Sequence, residues 1–163
     1  MKKVLVIIPT YNESENIQRV VELTLMDSVF DILVVDDSSP DGTADLVFEM
    51  IKTHPNRLFL EQRAGKEGLG KAYLHGFEWA LKKKYDYIFE MDADLSHDPR
   101  ELSPMLSHLK SDFDMVIGSR YIKGINVVNW PLSRILLSYF ASLYVRWTTC
   151  LLYTSPSPRD KRQ

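Results

Sequence analysis

Asp92 and Asp94 flank Ala93 in the segment MDADLSHDP, after an apolar run that reads as a strand. Side chains two positions apart on an extended backbone point the same way, so both carboxylates are expected to face one spot. At about 5 Å two such charges repel by roughly 3 kcal/mol at an effective dielectric near 20, and the pair therefore calls for a cation or shares a proton. A hard divalent ion such as Mg2+, bound by one or two carboxylates together with substrate phosphates, meets that demand. The competing account is a solvated loop or a helix N-cap, because D-x-D triplets also arise by chance.

A second acidic pair, Asp36 and Asp37, opens the segment DDSSPDGT. An acid at the end of a strand in an open α/β sheet commonly accepts hydrogen bonds from a ribose or a base, although SSPDG is also a turn in its own right. In AGKEGLGKA the glycines at 65, 68 and 70 fit neither the Walker A pattern nor the order G-x-G-x-x-G. Lys66 and Lys71 there are candidates for an anion contact, against a plain flexible loop before a helix. Arg120 in GSRY and Arg134 at the head of an apolar helix can each hold a phosphate through two N–H groups, with surface solvation as the alternative. His54, His75, His97 and His108 have neither an H-E-x-x-H pattern nor cysteine partners, and no G-x-S-x-G elbow occurs. Zinc chemistry and nucleophilic hydrolysis thus have no sequence support.

These groups need a scaffold, and the apolar pattern supplies one. Val4 to Pro9 is a continuous aliphatic run of the kind buried on both faces of a sheet. Asn12 is a plausible N-cap for a helix carrying Ile17, Val20, Val21 and Leu25. Ile32 to Val35 predicts a second strand, followed by a helix in which Ala44, Val47, Phe48 and Ile51 share a face. Leu58 to Leu60 predicts a third strand and Ala72 to Leu81 a third helix, closed by Lys82, Lys83 and Lys84. Tyr85 to Met91 reads as a fourth strand, Glu101 to Leu109 as a helix with Pro99 near its first turn, and Asp114 to Gly118 as a fifth strand. The alternation predicts a mostly parallel α/β sheet with helices on both faces and ligands at the carboxyl ends of the strands.

With 163 residues the chain suits one compact domain. Its 45 % hydrophobic and 26 % charged residues argue against disorder and a disulfide scaffold, and the lone Cys150 excludes an intrachain disulfide. A net charge of −2 is no electrostatic footprint for nucleic-acid binding. The run from Ile135 to Val145, between Arg134 and Arg146, is well short of the ~20 residues that span a bilayer. From Leu132 to Trp147 a helix would align Leu132, Ile135, Leu136, Tyr139, Phe140, Leu143 and Trp147, a stripe suited to a core, to a membrane surface, or to the packing of a missing segment. Residues 150–163, which include TSPSPRDKRQ, are expected to form a disordered, non-native tail.

Taken together, PTYNE, DDSSPDGT, GKEGLGKA, MDADLSHDP and GSRY, in this order and spacing, resemble the family 2 glycosyltransferases. Within them they resemble the dolichol-phosphate and polyprenol-phosphate mannose synthases. The resemblance runs from about Val4 to Thr149 and implies a GT-A fold, a Rossmann-like domain whose D-x-D motif holds Mg2+ or Mn2+ against a sugar nucleotide, here spanning residues 1–149. Carried over by motif position, it implies that Pro9, Tyr11, Glu13, Val35 and Asp37 line the nucleoside site. Asp92, Ala93 and Asp94 would meet the diphosphate and metal, with Ser96 as a weak third metal ligand. Arg120 and Arg134 would lie near the phosphates or acceptor, Asp94 and Arg120 being the catalytic candidates.

The reaction implied is transfer of mannose from GDP-mannose to a polyprenyl phosphate, with inversion, at the cytoplasmic face of a membrane. A phosphate acceptor needs no general base, because its second pKa near ~6 leaves it largely the dianion at neutral pH. Other relatives carry Gln at the position of Ser96 and continue into a segment with a D-x-T-[SAG]-G-F motif, which this sequence lacks. It therefore reads as a fragment with an incomplete acceptor half. The alternatives left open are a family 2 transferase using a UDP-sugar, a non-catalytic nucleotide-sugar-binding fragment, and an α/β interaction module.

Overall fold

An aliphatic run with no polar alternation has no face to give to water, so its strand must be covered on both sides. In the computed structural model that strand is β1 (Val4–Thr10), whose residues Val4 to Ile8 are all at most 1 % exposed. The structure describes residues 2–109, 113–118 and 132–149, divided between two units, Met1–Leu102 and Ser103–Gln163.

In the first unit β2 (Phe30–Asp36), β3 (Leu58–Gln62) and β4 (Tyr87–Glu90) join β1 in one parallel sheet of order β3-β2-β1-β4. Pairing sets Ile7 opposite Leu33 and Glu90, and Thr10 opposite Asp36. The helices between the strands are α1 (Ile17–Leu25), α2 (Thr43–Thr53) and α3 (Leu69–Lys82). On one face Leu5, Ile7, Leu33 and Val35 form a core with Ala72 and Ala80 of α3. Strand alternation turns Val4, Val6, Ile8, Ile32 and Val34 to the other face, where α1 and α2 pack on each other and on the sheet. Helices thus cover both faces, as the sequence predicts.

The first helix starts later than expected. Asn12 is not its N-cap but sits at φ 61°, and its N–H goes to Ser39 Oγ at 3.0 Å. The Glu13 carbonyl instead accepts the N–H groups of Asn16 and Ile17, which closes the first turn from Glu13. On α2, Ala44 and Val47 are buried, but Phe48 is 59 % exposed beneath the Lys52 ammonium. Pro99 opens a short 3-10 turn, Pro99–Glu101, in which the Asp98 carboxylate accepts the Arg100 N–H; α4 (Leu102–Leu109) follows.

In the second unit the run predicted as a fifth strand, Asp114 to Gly118, makes no ladder among the described residues, and Met115 is 70 % exposed. A strand exists only through its partner, and three apolar residues do not supply one. The last described element is α5 (Leu132–Thr149), where Leu136, Phe140, Leu143 and Trp147 of the predicted stripe are exposed. No described helix is long and apolar enough to cross a membrane. The expected tail, residues 150–163, lies outside the described residues.

Candidate functional site

The strand order reverses at β1, which has β2 on one side and β4 on the other. Ligands in open α/β sheets bind beyond the carboxyl ends of the strands at such a switch point. A cleft of about 250 Å³ opens there. Pro9, Thr10, Tyr11 and Glu13 line it from β1 and its loop, Asp37 from the end of β2, and Asp92, Ala93 and Asp94 from beyond β4. The remaining wall is Lys66 and the start of α3, namely Gly68, Leu69 and Ala72. Most of the nucleotide-site residues expected from sequence therefore share one concavity. Val35 does not line it, because its side chain belongs to the core beneath. Arg120 lies outside the described residues, and Arg134 falls in the first turn of α5.

The two adjacent acids of DDSSPDGT do different work. Asp36 is fully buried and satisfied: Oδ1 accepts from Thr10 Oγ1 at 2.8 Å and Ser39 Oγ at 2.6 Å, and Oδ2 accepts the Ser39 N–H at 2.9 Å. The turn residues then fasten the loop after β1. Thr43 Oγ1 accepts the Glu13 N–H at 3.0 Å and donates to Asp41 Oδ1 at 2.6 Å, while Asp41 Oδ2 accepts the Ser14 N–H at 3.0 Å. Burial opposes charge on Asp41, but these bonds from Thr43 and Ser14 outweigh it and hold its pKa well below the usual carboxylate range.

Asp37, by contrast, faces the cleft and takes a 2.8 Å hydrogen bond from Arg63 Nη1, with both side chains under 10 % exposed. Arg63 also donates from Nη2 to Glu67 Oε2 at 2.9 Å. Lys66, considered from sequence as an anion contact, places its ammonium 4.0 Å from the centre of the Tyr11 ring. The loop from Arg63 to Gly68 thus lays one cation on the cleft's acid and another on its aromatic ring.

The D-x-D motif reaches the cleft differently from the sequence expectation. β4 ends at Glu90, and Ala93 and Asp94 stand in a turn beyond it, so strand alternation does not align the carboxylates. The turn does: Leu95 has φ 60°, and the Ser96 N–H folds back to Asp94 Oδ1 at 2.9 Å. Burial works against charge on Asp94, yet the bonds from Ser96 and the proximity of His97 leave its pKa below the ordinary value. Asp92 Oδ1 accepts from the Tyr73 hydroxyl at 3.1 Å, and the Asp92 N–H donates to His97 Nδ1 at 3.2 Å. Burial, with the charges of Asp92 and Glu90, pushes the Tyr73 phenol up.

Among the described residues neither Asp92 nor Asp94 has an ion-pair partner, and no group of three or more His, Cys, Asp or Glu could hold a metal. Two carboxylates facing a cleft fit a hard divalent ion that completes its shell from phosphate oxygens and water. The sequence reasoning missed Arg63, Tyr73 and the α3 wall. Arg63 stands where the third strand ends, which is a usable signal, whereas nothing marks Tyr73 among eight tyrosines.

A parallel α/β sheet with acids gathered at its switch point is the arrangement of a GT-A glycosyltransferase. The chain belongs to glycosyl transferase family 2, whose model matches residues 5–157. It is 47 % identical over 147 residues to the polyprenol monophosphomannose synthase of Mycolicibacterium smegmatis, covering 90 % of this chain and 56 % of that protein. It is 46 % identical over 146 residues to the undecaprenyl-phosphate mannosyltransferase of Micrococcus luteus, covering 88 % of this chain and 59 % of that protein. Among solved structures it is similar to S. aureus TarS 1-349 in complex with UDP, with TM-score 0.54 and 25 % identity over 80 % of this chain and 38 % of that one. The chain thus spans a little over half the length of these curated relatives.

Proposed function

We propose that this chain carries the donor half of a polyprenyl-phosphate mannosyltransferase. On this reading it binds GDP-mannose, and mannose passes to the phosphate of a polyprenyl carrier with inversion. The observation that carries the reading is the pair Asp92 and Asp94 on one cleft with Asp37 and Tyr11. One end of the cleft can receive a base and the other a diphosphate. The names of relatives at 46–47 % identity support mannose and a polyprenyl phosphate.

Each residue then has a physical task. Tyr11 offers a ring and Asp37 an acceptor to the nucleoside, beside Pro9 and Glu13. Val35 contributes through the floor beneath them. Asp92 and Asp94 are the metal-binding carboxylates, with Ala93 between them and the Ser96 hydroxyl as a third oxygen. A bound Mg2+ or Mn2+ supplies charge that offsets the negative charge gathering on the departing GDP. Arg120 and Arg134 are assigned to the phosphates or the acceptor. The acceptor oxygen attacks the anomeric carbon from the side opposite GDP, and its dianionic charge removes the need for a base on the protein. A lipid acceptor places the enzyme at a membrane surface, on the cytoplasmic side where sugar nucleotides are available. Residues 1–149 are assigned to the transferase part, and the family match continues to residue 157.

The likeness to a UDP complex of TarS favours a second reading, a uridine donor. Calorimetric titration of the chain with GDP-mannose and with UDP-glucose, each with and without Mn2+, separates them. Metal-dependent binding of GDP-mannose that is lost in Asp94→Asn is the expected result. Preference for UDP-glucose would move the assignment to the second reading, and metal dependence retained in Asp94→Asn would overturn the role of the carboxylates.

A further inference from the structure

Asp92 stands beyond the last paired residue of β4 and has no ladder to hold it. Its side chain is instead tethered from a different element. The Tyr73 hydroxyl on α3 donates to Asp92 Oδ1 at 3.1 Å, and the ring behind that hydroxyl packs against the buried cluster of Leu5, Ile7 and Ala72. The tether is therefore anchored in the buried core. We propose that Tyr73 is a positioning residue for metal binding: it occupies one oxygen of Asp92 so that the other is presented singly to the ion. This rests on the reading of Asp92 and Asp94 as the metal-binding pair.

The consequence is selectivity as well as affinity. Mg2+ demands near-octahedral geometry and takes one oxygen from a carboxylate, whereas Ca2+ readily accepts both. A carboxylate with one oxygen engaged by a tyrosine suits the smaller ion. Loss of a hydrogen bond that orients a metal ligand typically costs 10- to 100-fold in metal affinity.

Tyr73→Phe removes one oxygen atom and keeps the ring. Tyr85→Phe is its control, because Tyr85 also packs against this cluster and donates to an aspartate, Asp31 Oδ2 at 2.9 Å, but that aspartate, unlike Asp92, lines no part of the cleft. The measurement is calorimetric titration with GDP and with UDP, each without metal and with Mg2+, Mn2+ or Ca2+, alongside the melting temperature of each variant. The parent is expected to gain affinity with Mg2+. Tyr73→Phe should keep the metal-free affinity, lose about tenfold with Mg2+ and lose less with Ca2+. Unchanged metal dependence in Tyr73→Phe, or an equal loss in Tyr85→Phe, would overturn the proposal. Asp92→Asn separates the two levels of the argument. If it abolishes the metal effect while Tyr73→Phe does not, only the positioning role fails; if it leaves the effect intact, the metal-binding reading falls and the proposal with it.

Discussion

Gly76 lies on the buried face of α3, where a Cβ would sit 2.6 Å from Ile7 Cγ2, 3.0 Å from Cδ1 and 3.3 Å from Cγ1. Ile7 is fully buried in the middle of β1 and is β-branched, so its side chain has little freedom to swing aside. Gly76→Ala therefore sets two effects against each other. Alanine favours the helix by about 1 kcal/mol, while forcing a methyl group into a packed core costs about 1–3 kcal/mol. At 2.6 Å the clash is with the root of a stiff side chain, which puts the cost at the upper end and the net loss at about 1–2 kcal/mol. That corresponds to a fall in melting temperature of roughly 2–8 °C for a chain of this size. Gly70, in the first turn of the same helix, has nothing within 4 Å of its Cβ position, so Gly70→Ala should be neutral or stabilising by about 0.4–1 kcal/mol. Urea unfolding of the two variants tests the contrast. A Gly76→Ala protein as stable as the parent, or a shift of the same sign and size at both glycines, would refute the close approach of α3 to β1. Ile7→Ala combined with Gly76→Ala should cost less than the two single changes together.

Other outcomes follow from the site. Arg63→Met breaks the buried pair with Asp37 and should cost about 3–5 kcal/mol in urea unfolding, as expected when one partner of a buried pair is removed. A loss below about 1 kcal/mol would mark the pair as an ordinary surface contact. The depressed pKa of Asp41 gives stability that is fully present above its unfolded pKa, near ~3.9, and is lost as pH falls toward the lower folded value. Melting temperature should therefore fall below about pH 4 in the parent, and Asp41→Asn should start lower at neutral pH and show a flatter acid limb. Parallel acid limbs in the two proteins would remove Asp41 from the account.

The sheet was legible because a strand buried on both faces leaves an unmistakable aliphatic run, from which β1 and β2 follow, while the crossing helices follow from apolar residues at helical spacing. Motif residues at strand ends were legible for the same reason: once the strands are placed, Asp37, Asp92 and Asp94 must lie at their carboxyl ends. What the pattern did not carry was the choice between neighbours. Asp36 and Asp37 look alike in sequence, and only packing decides that one is a buried acceptor for Thr10 and Ser39 while the other faces the cleft beside Arg63. The run read as a fifth strand makes no ladder among the described residues, because pairing is a property of two segments and an apolar triplet specifies only one. Tyr73 was hidden because its role depends on the depth at which α3 sits on the sheet.

That depth links the scaffold to the chemistry. The loops after β1, β2 and β4 each turn at a non-glycine residue with positive φ: Asn12 at 61°, Ser38 at 55° and Leu95 at 60°. Such conformations cost of order 1–3 kcal/mol each and persist only where the surroundings over-determine them. The surroundings do so here: Asn12 is fixed by Ser39, Ser38 Oγ donates to the Arg63 carbonyl at 2.6 Å, and Leu95 is bracketed by the Ser96–Asp94 bond. Leu95 is the most telling of the three, because leucine has no polar side chain with which to offset a left-handed backbone. Its turn would relax if Asp94 were free to move. The turn at Leu95 and the tether from Tyr73 therefore act together, one on Asp94 and the other on Asp92, the two carboxylates proposed to bind the metal.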